Sequence, residues 1–354
     1  MIEPRPGIVS LPRAIHGAVK DAELALLIAA GIDPARVIDF SVNSNPLGPS
    51  PRVAAALQEI DVSRYPDDEA VELRDALAAR FGVGRRQVLA ANGSAEAIWL
   101  ICLAFLSPGD TVAIREPTFS EYQRAARLAG ARVTQFQTAA SQGDKPRIVF
   151  LCNPNNPTGD YVSRAEVERI LDQSPESLLV IDEAYAGFLT PESGLHALIP
   201  LLRTGRVLLL RSMTKDYAIA GLRLGYVLGP EPLIDALSRA KPPWSVNRAA
   251  LAAGLASLED ESHLSRSQMV AAGAVTYLQR EIMAIGLVVK PTRANFFVVD
   301  VGDAARVRTA LLSDGLVVRD CASFGLPSMI RIAARPIEDC QRLVRALSRV
   351  CVSA

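Results

Sequence analysis

The sequence predicts an α/β protein with a mostly parallel sheet and a second, smaller α/β domain. Short apolar runs rich in β-branched residues alternate with longer helical patterns, which is typical of strands joined by crossover helices. The runs are apolar throughout, as expected of strands that are covered on both faces. The chain has 354 residues, more than one compact core usually contains, so we expect two domains.

The first part of the chain accounts for the larger sheet. Candidate strands lie at 87–91, 111–114, 132–136, 147–151, 178–182, 206–210 and 223–228. Helical patterns separate most of them, such as "DDEAVELRDALAARF" before the first strand and "SAEAIWLICLAFL" after it. This alternation predicts a seven-stranded sheet with helices on both faces.

After about residue 245 the pattern changes. A long helical region at roughly 246–285 leads to shorter apolar runs, "LVVK", "NFFVVDV", "LVVRD" and "MIRIA". These runs predict a smaller domain, and the first 40 residues, with two helical patches, are expected to pack on it. We therefore predict a large domain over 42–249 and a small domain formed by 1–41 together with 250–354.

The composition argues against several classes of protein. The chain has 38 basic and 38 acidic side chains and no basic stripe, so nucleic acid is not an expected partner. No apolar run approaches the roughly 20 residues that span a bilayer, and the start lacks the pattern of a secretory signal. Five scattered cysteines without CxxC spacing and three distant histidines predict no metal site and a cytoplasmic protein.

The stretch "RSMTKDYAIAGLRLG" places a lysine and an arginine just after an apolar run. Most lysines lie on the surface, but an amine becomes a nucleophile toward aldehydes when it is desolvated or lies near cations. Arg223 stands in "GLRLG", where glycines allow the backbone to approach a ligand closely. Together these residues predict a site in which Lys215 bonds to a carbonyl while Ser212 and Arg223 hold an attached phosphate.

Two further motifs place polar side chains at the ends of predicted strands. Asp182 ends the run "LLVID", where a buried carboxylate needs a partner. It either caps the next helix or keeps a heterocyclic nitrogen protonated, which makes the ring an electron sink. Tyr185 is then a candidate donor to a ring oxygen. Asn156, in "NPNNPTG", belongs either to a loop with strong turn residues or to a ligand site at the carboxyl edge of the sheet.

Two motifs nearer the start complete the candidate site. In "ANGSAEAIW" a predicted strand is followed by Gly93, Ser94 and the start of a helix. The Ser94 hydroxyl and the first N–H groups of that helix either form an ordinary cap or bind a phosphate. Phe119, in "EPTFSEY", is either a core aromatic or a ring that stacks on a planar cofactor.

In this order, "NPNNPTG", "DEAY", "SMTK" and "GLRLG" resemble the fold-type I, aspartate-aminotransferase-like superfamily of pyridoxal 5'-phosphate (PLP) enzymes, over essentially the whole chain. The resemblance implies that PLP is the cofactor, that Lys215 bonds to its aldehyde and that Asp182 pairs with its pyridine nitrogen. It assigns Tyr185 and Asn156 to the ring oxygen and Phe119 to the ring face. The residues that it assigns to the cofactor phosphate are Gly93, Ser94, Ala95, Ser212 and Arg223.

The resemblance also implies an oligomeric state. Tyr65, in "SRYPDDEAVELRDALA", is similar to a tyrosine that such enzymes lend to the cofactor phosphate of the neighbouring subunit. Each site would then need two subunits, so we expect a homodimer.

Two groups within that superfamily share more of the sequence. Histidinol-phosphate aminotransferases and L-threonine-O-3-phosphate decarboxylases both have counterparts of Arg319 and Arg331, in "VVRDCASFGLPSMIRIA". The decarboxylases also have an N-terminal segment similar to His16-Gly17 and segments similar to "VIDFSVNSNPLGPS", "PPWSVN" and "RANFFVV". Their usual His-Gly-Gly-Asn reads "HGAV" here. The resemblance favours a decarboxylase that acts on a phosphorylated amino acid in cobalamin biosynthesis, with an aminotransferase as the alternative.

The two reactions differ in how the substrate carboxylate is positioned relative to the cofactor ring. We expect Arg331 to bind that carboxylate, because a planar guanidinium suits bidentate binding. Arg319, His16, Gly17 and Arg335 are candidates for the substrate's phosphate or for supporting Arg331. The same fold also occurs as the sensing half of transcription regulators, but the roughly 40 residues before the core contain no basic helix-turn-helix pattern.

Overall fold

The computed structural model describes residues 2, 6–9, 11, 17, 19, 21–29, 31–136, 145–190 and 192–352. The strands are β1 (Ile38–Asp39), β2 (Val88–Ala91), β3 (Thr111–Ile114), β4 (Arg132–Gln135), β5 (Ile148–Cys152), β6 (Leu178–Asp182), β7 (Val207–Ser212), β8 (Gly225–Leu228), β9 (Val288–Val289), β10 (Phe296–Asp300), β11 (Leu316–Val317), β12 (Arg319–Asp320) and β13 (Met329–Ala333). The α-helices are α1 (Pro6–Val9), α2 (Asp21–Ala29), α3 (Pro51–Gln58), α4 (Val71–Phe81), α5 (Gly93–Phe105), α6 (Glu121–Leu128), α7 (Arg164–Gln173), α8 (Met213–Asp216), α9 (Glu231–Ala240), α10 (Arg248–Leu258), α11 (Glu261–Ala284), α12 (Ala304–Ser313) and α13 (Ile337–Val352). Short 3-10 helices lie at Pro34–Arg36, Arg85–Gln87, Ala186–Phe188, Ile199–Thr204, Ala220–Leu222 and Ala322–Phe324.

The larger sheet has seven strands in the order β2-β8-β7-β6-β5-β3-β4. Strand β8 runs antiparallel to both of its neighbours, and the other pairs are parallel. Each of the predicted strands of this sheet is confirmed, as is the predicted α/β class. In such a sheet the carboxyl ends of the parallel strands meet along one edge, where ligands usually bind.

Helices cover both faces of this sheet, which explains why its strands are apolar throughout. In β7, Val207 and Leu209 pack in one cluster with side chains of α4 and α10, whereas Leu208 and Leu210 pack in another with side chains of α5, α6 and α9. Because successive side chains of a strand point to opposite faces, both sets must be apolar.

The smaller sheet is antiparallel and has the order β12-β13-β10-β9. Its apolar side chains pack with those of α11, α12 and α13. The run "LVVRD" does not form the single strand that its pattern predicts. Its first half, β11, pairs in parallel with β1, whereas β12 pairs with β13.

Helices from both sides of the predicted domain boundaries make contacts that bear on the division into domains. Helix α10 packs against α3 and α4 and shares the core of the larger sheet. Glu23 of α2 forms an ion pair with Arg308 of α12, whereas α1 lies next to α6. The boundaries at 42–249, 1–41 and 250–354 stay a prediction.

The helices differ from membrane-spanning segments. Of those in the described ranges, none combines the length and the apolar character that crossing a bilayer requires. The cytoplasmic location stays a prediction.

Candidate active site

A cavity of about 660 Å³ lies at the carboxyl edge of the larger sheet, where β5, β6 and β7 end. The predicted site residues come from distant parts of the sequence, and nearly all of them line this cavity. The exceptions are Gly93, Tyr65 and Arg335, which do not line it, and His16, which lies outside the described residues. The fold therefore brings the predicted set together in one place.

Lys215 lies on α8, the single turn that follows β7, and it is half-buried. The Asn45 backbone N–H donates to the Lys215 carbonyl at 2.8 Å and so holds the turn in place. Burial, followed by the positive charges of Arg331 and Arg223, lowers the pKa of Lys215 to about 8. The Asp182 carboxylate acts in the opposite direction. A useful fraction of the amine is therefore neutral, and hence nucleophilic, near neutral pH.

Asp182 is the last residue of β6 and is buried. Its Oδ1 accepts the Ala184 N–H at 3.0 Å, and its Oδ2 accepts the Tyr122 hydroxyl at 2.7 Å. Burial raises the pKa of Asp182, while these two hydrogen bonds and the charge of Lys215 act to lower it. The carboxylate accepts from the turn that follows it but does not cap a helix, because the next helical turn, Ala186–Phe188, has Tyr185 as its N-cap. It also lines the cavity.

The start of α5 supplies donors for a phosphate. Helix α5 begins at Gly93, so Ser94 lies inside its first turn and Asn92 is the N-cap. A Cβ at position 93 would lie 2.7 Å from Arg223 Nη2, so the missing side chain makes room for that guanidinium. The free N–H groups of α5, the Ser94 hydroxyl and Arg223 together fit a phosphate group.

Gly221 and Gly225, on either side of Arg223, were expected to let the backbone approach a ligand, and the structure gives them other surroundings. A Cβ at Gly225 would lie 2.7 Å from both the Arg211 carbonyl oxygen and the Ser94 nitrogen. Gly225 therefore lets β8 pack directly against the start of α5. Around Gly221 nothing lies within 4 Å of the Cβ position. Ser212 makes a 2.7 Å hydrogen bond with the Thr214 hydroxyl beside the cavity.

Arg331, on β13, is 5% exposed and also lines the cavity. Its Nη2 donates to the Ser41 carbonyl at 2.7 Å, and its Nη1 donates to Asn156 Oδ1. Its Cζ lies 5.5 Å from the centre of the Phe296 ring. These contacts fix the guanidinium, while Nε has no hydrogen-bond partner among the described residues.

Asn156 and Tyr185 lie between Arg331 and the end of β6. Asn156 was expected at the ring oxygen, which stays a prediction. Its amide oxygen accepts from Arg331, and its amide nitrogen is the group that could donate to a ring oxygen. The Tyr185 hydroxyl accepts from Asn43 Nδ2 at 3.4 Å. Burial raises the pKa of Tyr185 to about 12, so its hydroxyl stays protonated and able to donate.

Arg319 stands directly opposite Arg331 in the antiparallel pair of β12 and β13. Its Nη2 donates to Ser323 Oγ at 2.8 Å, and its Cζ lies 5.5 Å from the Phe324 ring centre. Burial and the nearby charge of Arg331 lower the pKa of Arg319. Two guanidinium groups on one face of a sheet repel each other, which favours an anion near them.

Gly17 lies close to Arg331, whereas Arg335 lies outside the cavity. A Cβ at Gly17 would lie 2.8 Å from the Ser41 carbonyl oxygen and 3.6 Å from Arg331 Nη2, so a side chain at this position would collide with the Ser41 backbone. Arg335 donates to the carbonyls of Asp39 and Val42 and does not line the cavity. It holds the backbone at the end of β1 and just after it.

Tyr65 is 76% exposed and does not line the cavity of its own chain. Its ring lies 4.7 Å from that of Trp244, and its carbonyl accepts from Arg248 Nη1 at 3.2 Å. An exposed tyrosine outside its own site suits a contact with a neighbouring subunit, which stays a prediction.

The cavity also contains residues that the sequence did not single out. Asn43, Trp99, Tyr122 and Arg124 line it beside the predicted set. Phe119 lines it too, with its ring edge-on to Tyr122 at 5.7 Å. The sequence signal for Tyr122 was its place three residues after Phe119 in "EPTFSEY", but only the fold shows that it reaches Asp182.

Comparisons with known proteins show the family to which this chain belongs. The profile of the family "Aminotransferase class I and II" matches residues 35–347. A histidinol-phosphate aminotransferase from Moorella thermoacetica is 37% identical over 330 residues, which cover 89% of this chain and 85% of that protein. Histidinol-phosphate aminotransferase 2 from Pseudomonas aeruginosa is 35% identical over 360 residues, covering 98% of this chain and 97% of that protein.

Two solved structures give the same result for the fold. Histidinol-phosphate aminotransferase from Sinorhizobium meliloti in complex with pyridoxal-5'-phosphate matches with a TM-score of 0.88 at 25% identity, over 100% of this chain and 98% of that chain. L-threonine-O-3-phosphate decarboxylase from Porphyromonas gingivalis matches with a TM-score of 0.78 at 26% identity, over 88% of this chain and 98% of that chain. This chain therefore belongs to the class I and II aminotransferases, with the aspartate-aminotransferase-like fold type I and PLP as its cofactor.

Proposed function

We propose that this protein is an aminotransferase for a phosphorylated substrate, with histidinol phosphate as the first candidate. The observation that supports a phosphorylated substrate is the pair Arg319 and Arg331, which stand directly opposite each other and both line the cavity. Like charges in this arrangement repel each other, and an anion bound near both guanidinium groups offsets that repulsion. A phosphate group, with two negative charges, offsets both guanidinium groups.

The comparisons support the aminotransferase over the decarboxylase that the sequence motifs favoured. Curated relatives at 35–37% identity are histidinol-phosphate aminotransferases, whereas a threonine-phosphate decarboxylase is found among the similar solved structures at 26% identity. The motifs shared with both groups surround the cofactor and the arginine pair, so they do not distinguish the two reactions. Cobalamin biosynthesis thus belongs to the second candidate, decarboxylation of threonine phosphate.

PLP supplies an electrophilic aldehyde and an electron sink when it is bound. Lys215 would bond to it, and once displaced by the substrate amine would move a proton at the substrate Cα. Its pKa of about 8 suits both tasks. Asp182 would hold the pyridine nitrogen in its protonated form, and Tyr185 would donate to the ring oxygen.

The remaining residues would hold the cofactor in place. Gly93, Ser94 and Ala95 would present their N–H groups to its phosphate, together with the Ser94 and Ser212 hydroxyls and the Arg223 guanidinium. Phe119 would stack on the ring, and Asn156 would use its amide nitrogen toward the ring oxygen. The neighbouring subunit's copy of Tyr65 would complete the phosphate contacts in a homodimer.

The substrate's anionic group would bind where the arginine pair lines the cavity. Arg331 is held by Ser41 and Asn156 and would bind this group in a bidentate manner. Arg319 would add the second guanidinium, and Gly17 would let its segment lie close to Arg331. His16 stays a candidate from the sequence alone.

The two candidate reactions are separated by their products. The purified holoenzyme is incubated with histidinol phosphate and 2-oxoglutarate, and separately with threonine phosphate alone. The proposal predicts glutamate in the first incubation and no carbon dioxide in the second. Carbon dioxide and aminopropanol phosphate formed without a keto acid would establish the decarboxylase instead.

A further inference from the structure

The Tyr122 side chain is enclosed beside the cofactor site. It lies at the start of α6 and is 0% exposed. Its ring stacks on Phe150 with centroids 5.0 Å apart and meets Phe119 edge-on at 5.7 Å. These contacts leave the ring one position, so its hydroxyl is aimed at a fixed point.

That fixed point is the carboxylate of Asp182. The Tyr122 hydroxyl donates to Oδ2 at 2.7 Å, and the Ala184 N–H donates to Oδ1 at 3.0 Å. Both oxygens of the carboxylate are thereby held from the protein side. Burial raises the pKa of Tyr122 well above its usual range, so the hydroxyl remains a donor.

The other titratable groups near this carboxylate are few. Cys152 ends β5 directly beside Asp182 in the sheet, and burial raises its pKa to about 12, so its thiol is neutral. Lys215 contributes a positive charge near it. Glu183 and Tyr185 follow Asp182 in the sequence, and the negative charge of Asp182 acts to raise the pKa of each. Tyr122 is thus the side-chain hydroxyl that stabilises the ionised form of Asp182 by direct contact.

We propose that Tyr122 is a positioning residue that acts through Asp182: its hydroxyl keeps the carboxylate ionised and oriented toward the pyridine nitrogen of PLP. The inference depends on the role proposed for Asp182 and is independent of the substrate. Without this hydrogen bond the Asp182 carboxylate would be a stronger base. It would then draw the proton that lies between it and the pyridine nitrogen toward itself, so the ring nitrogen would carry less positive charge.

The test compares Tyr122→Phe with Tyr226→Phe. Both tyrosines are buried, but Tyr226 lies on β8 facing Phe81 and does not line the cavity. We expect the dissociation constant for PLP, measured by equilibrium dialysis, to rise about tenfold in Tyr122→Phe. The pH midpoint of the cofactor's visible absorption band should move to higher pH, because less positive charge then lies near the Lys215 nitrogen. Tyr226→Phe should match the wild type in both measurements.

Repeating the change in an Asp182→Ala background distinguishes positioning from general packing. If Tyr122 acts through Asp182, Tyr122→Phe has no further effect on PLP affinity once the carboxylate is absent. An equal loss in both backgrounds, including one caused by damaged folding, would overturn the proposal. An unchanged dissociation constant and absorption midpoint in the single variant would do the same. Neither measurement uses substrate, so failure here leaves the proposed aminotransferase reaction standing.

Discussion

At the scale of the residue, the lowered pKa of Lys215 makes the reactivity of the apoprotein depend on pH. The protonated amine cannot attack an aldehyde, so the rate of bonding to PLP should rise with pH. We expect its midpoint near 8, where the pKa lies, instead of near the usual 10.5 of a lysine. Stopped-flow absorbance of the apoprotein mixed with PLP at a series of pH values measures this midpoint.

The matched control is Lys215→Ala, which should show no fast phase. Borohydride treatment followed by peptide mapping should tag position 215 in the wild type. A midpoint close to 10.5, or a tag on another lysine, would show that burial and the neighbouring arginines do not activate this amine.

Some residues of the site could be predicted from the sequence, because their chemical role follows from the residue type and from a position near the end of a predicted strand. Lys215 and Asp182 are of this kind, because Asp182 ends an apolar run and Lys215 comes shortly after one. The contacts that tune them were not predictable. Tyr122 reaches Asp182 across 60 positions of the chain, and Arg331 reaches Asn156 across 175. Only the packing of whole elements brings such partners together.

At the scale of the element, the joint between β8 and α5 depends on Gly225. A methyl group there would lie 2.7 Å from the Ser94 nitrogen, so Gly225→Ala must push the strand away from the start of the helix. We expect a loss of about 1–3 kcal/mol in the free energy of unfolding, as for other overpacked sites. PLP affinity should fall as well, because the N–H groups that face the phosphate move.

Gly221→Ala is the matched control, since it changes the other glycine of the same motif. Its Cβ would meet nothing within 4 Å, so the free energy of unfolding should change by less than about 0.5 kcal/mol. Urea unfolding and PLP titration of the two variants measure both effects. Equal stability of the two variants would mean that β8 and α5 are not in tight contact.

The elements themselves were largely predictable, because their apolar patterns match the burial of the strands on two faces. The run "LVVRD" is instructive because its pattern is that of one strand, whereas the chain changes partner at Val318. Leu316 and Val317 pair with β1 from the start of the chain, and Arg319 and Asp320 pair with β13. Pairing with a segment nearly 280 residues away leaves no local signal.

At the scale of the whole molecule, the site is built from both sheets. The larger sheet supplies Asp182 and Lys215, and the smaller sheet supplies Arg319 and Arg331. Hydrogen bonds from Arg331 to Asn156 and to the Ser41 carbonyl join the two parts at the cavity. Substrate binding at the arginine pair therefore depends on how the smaller sheet is placed against the cofactor site, a relation that no local sequence pattern encodes.

A two-subunit site predicts that two defective variants complement each other. If Tyr65 acts across the interface, a heterodimer of Lys215→Ala and Tyr65→Phe has one site that carries both defects and one that carries neither. Random mixing of subunits should therefore restore about a quarter of the wild-type activity. Each variant alone, treated by the same unfolding and refolding, gives the baseline. If the mixture only averages the two variants, Tyr65 acts within its own chain, and its 76% exposure would then need another explanation.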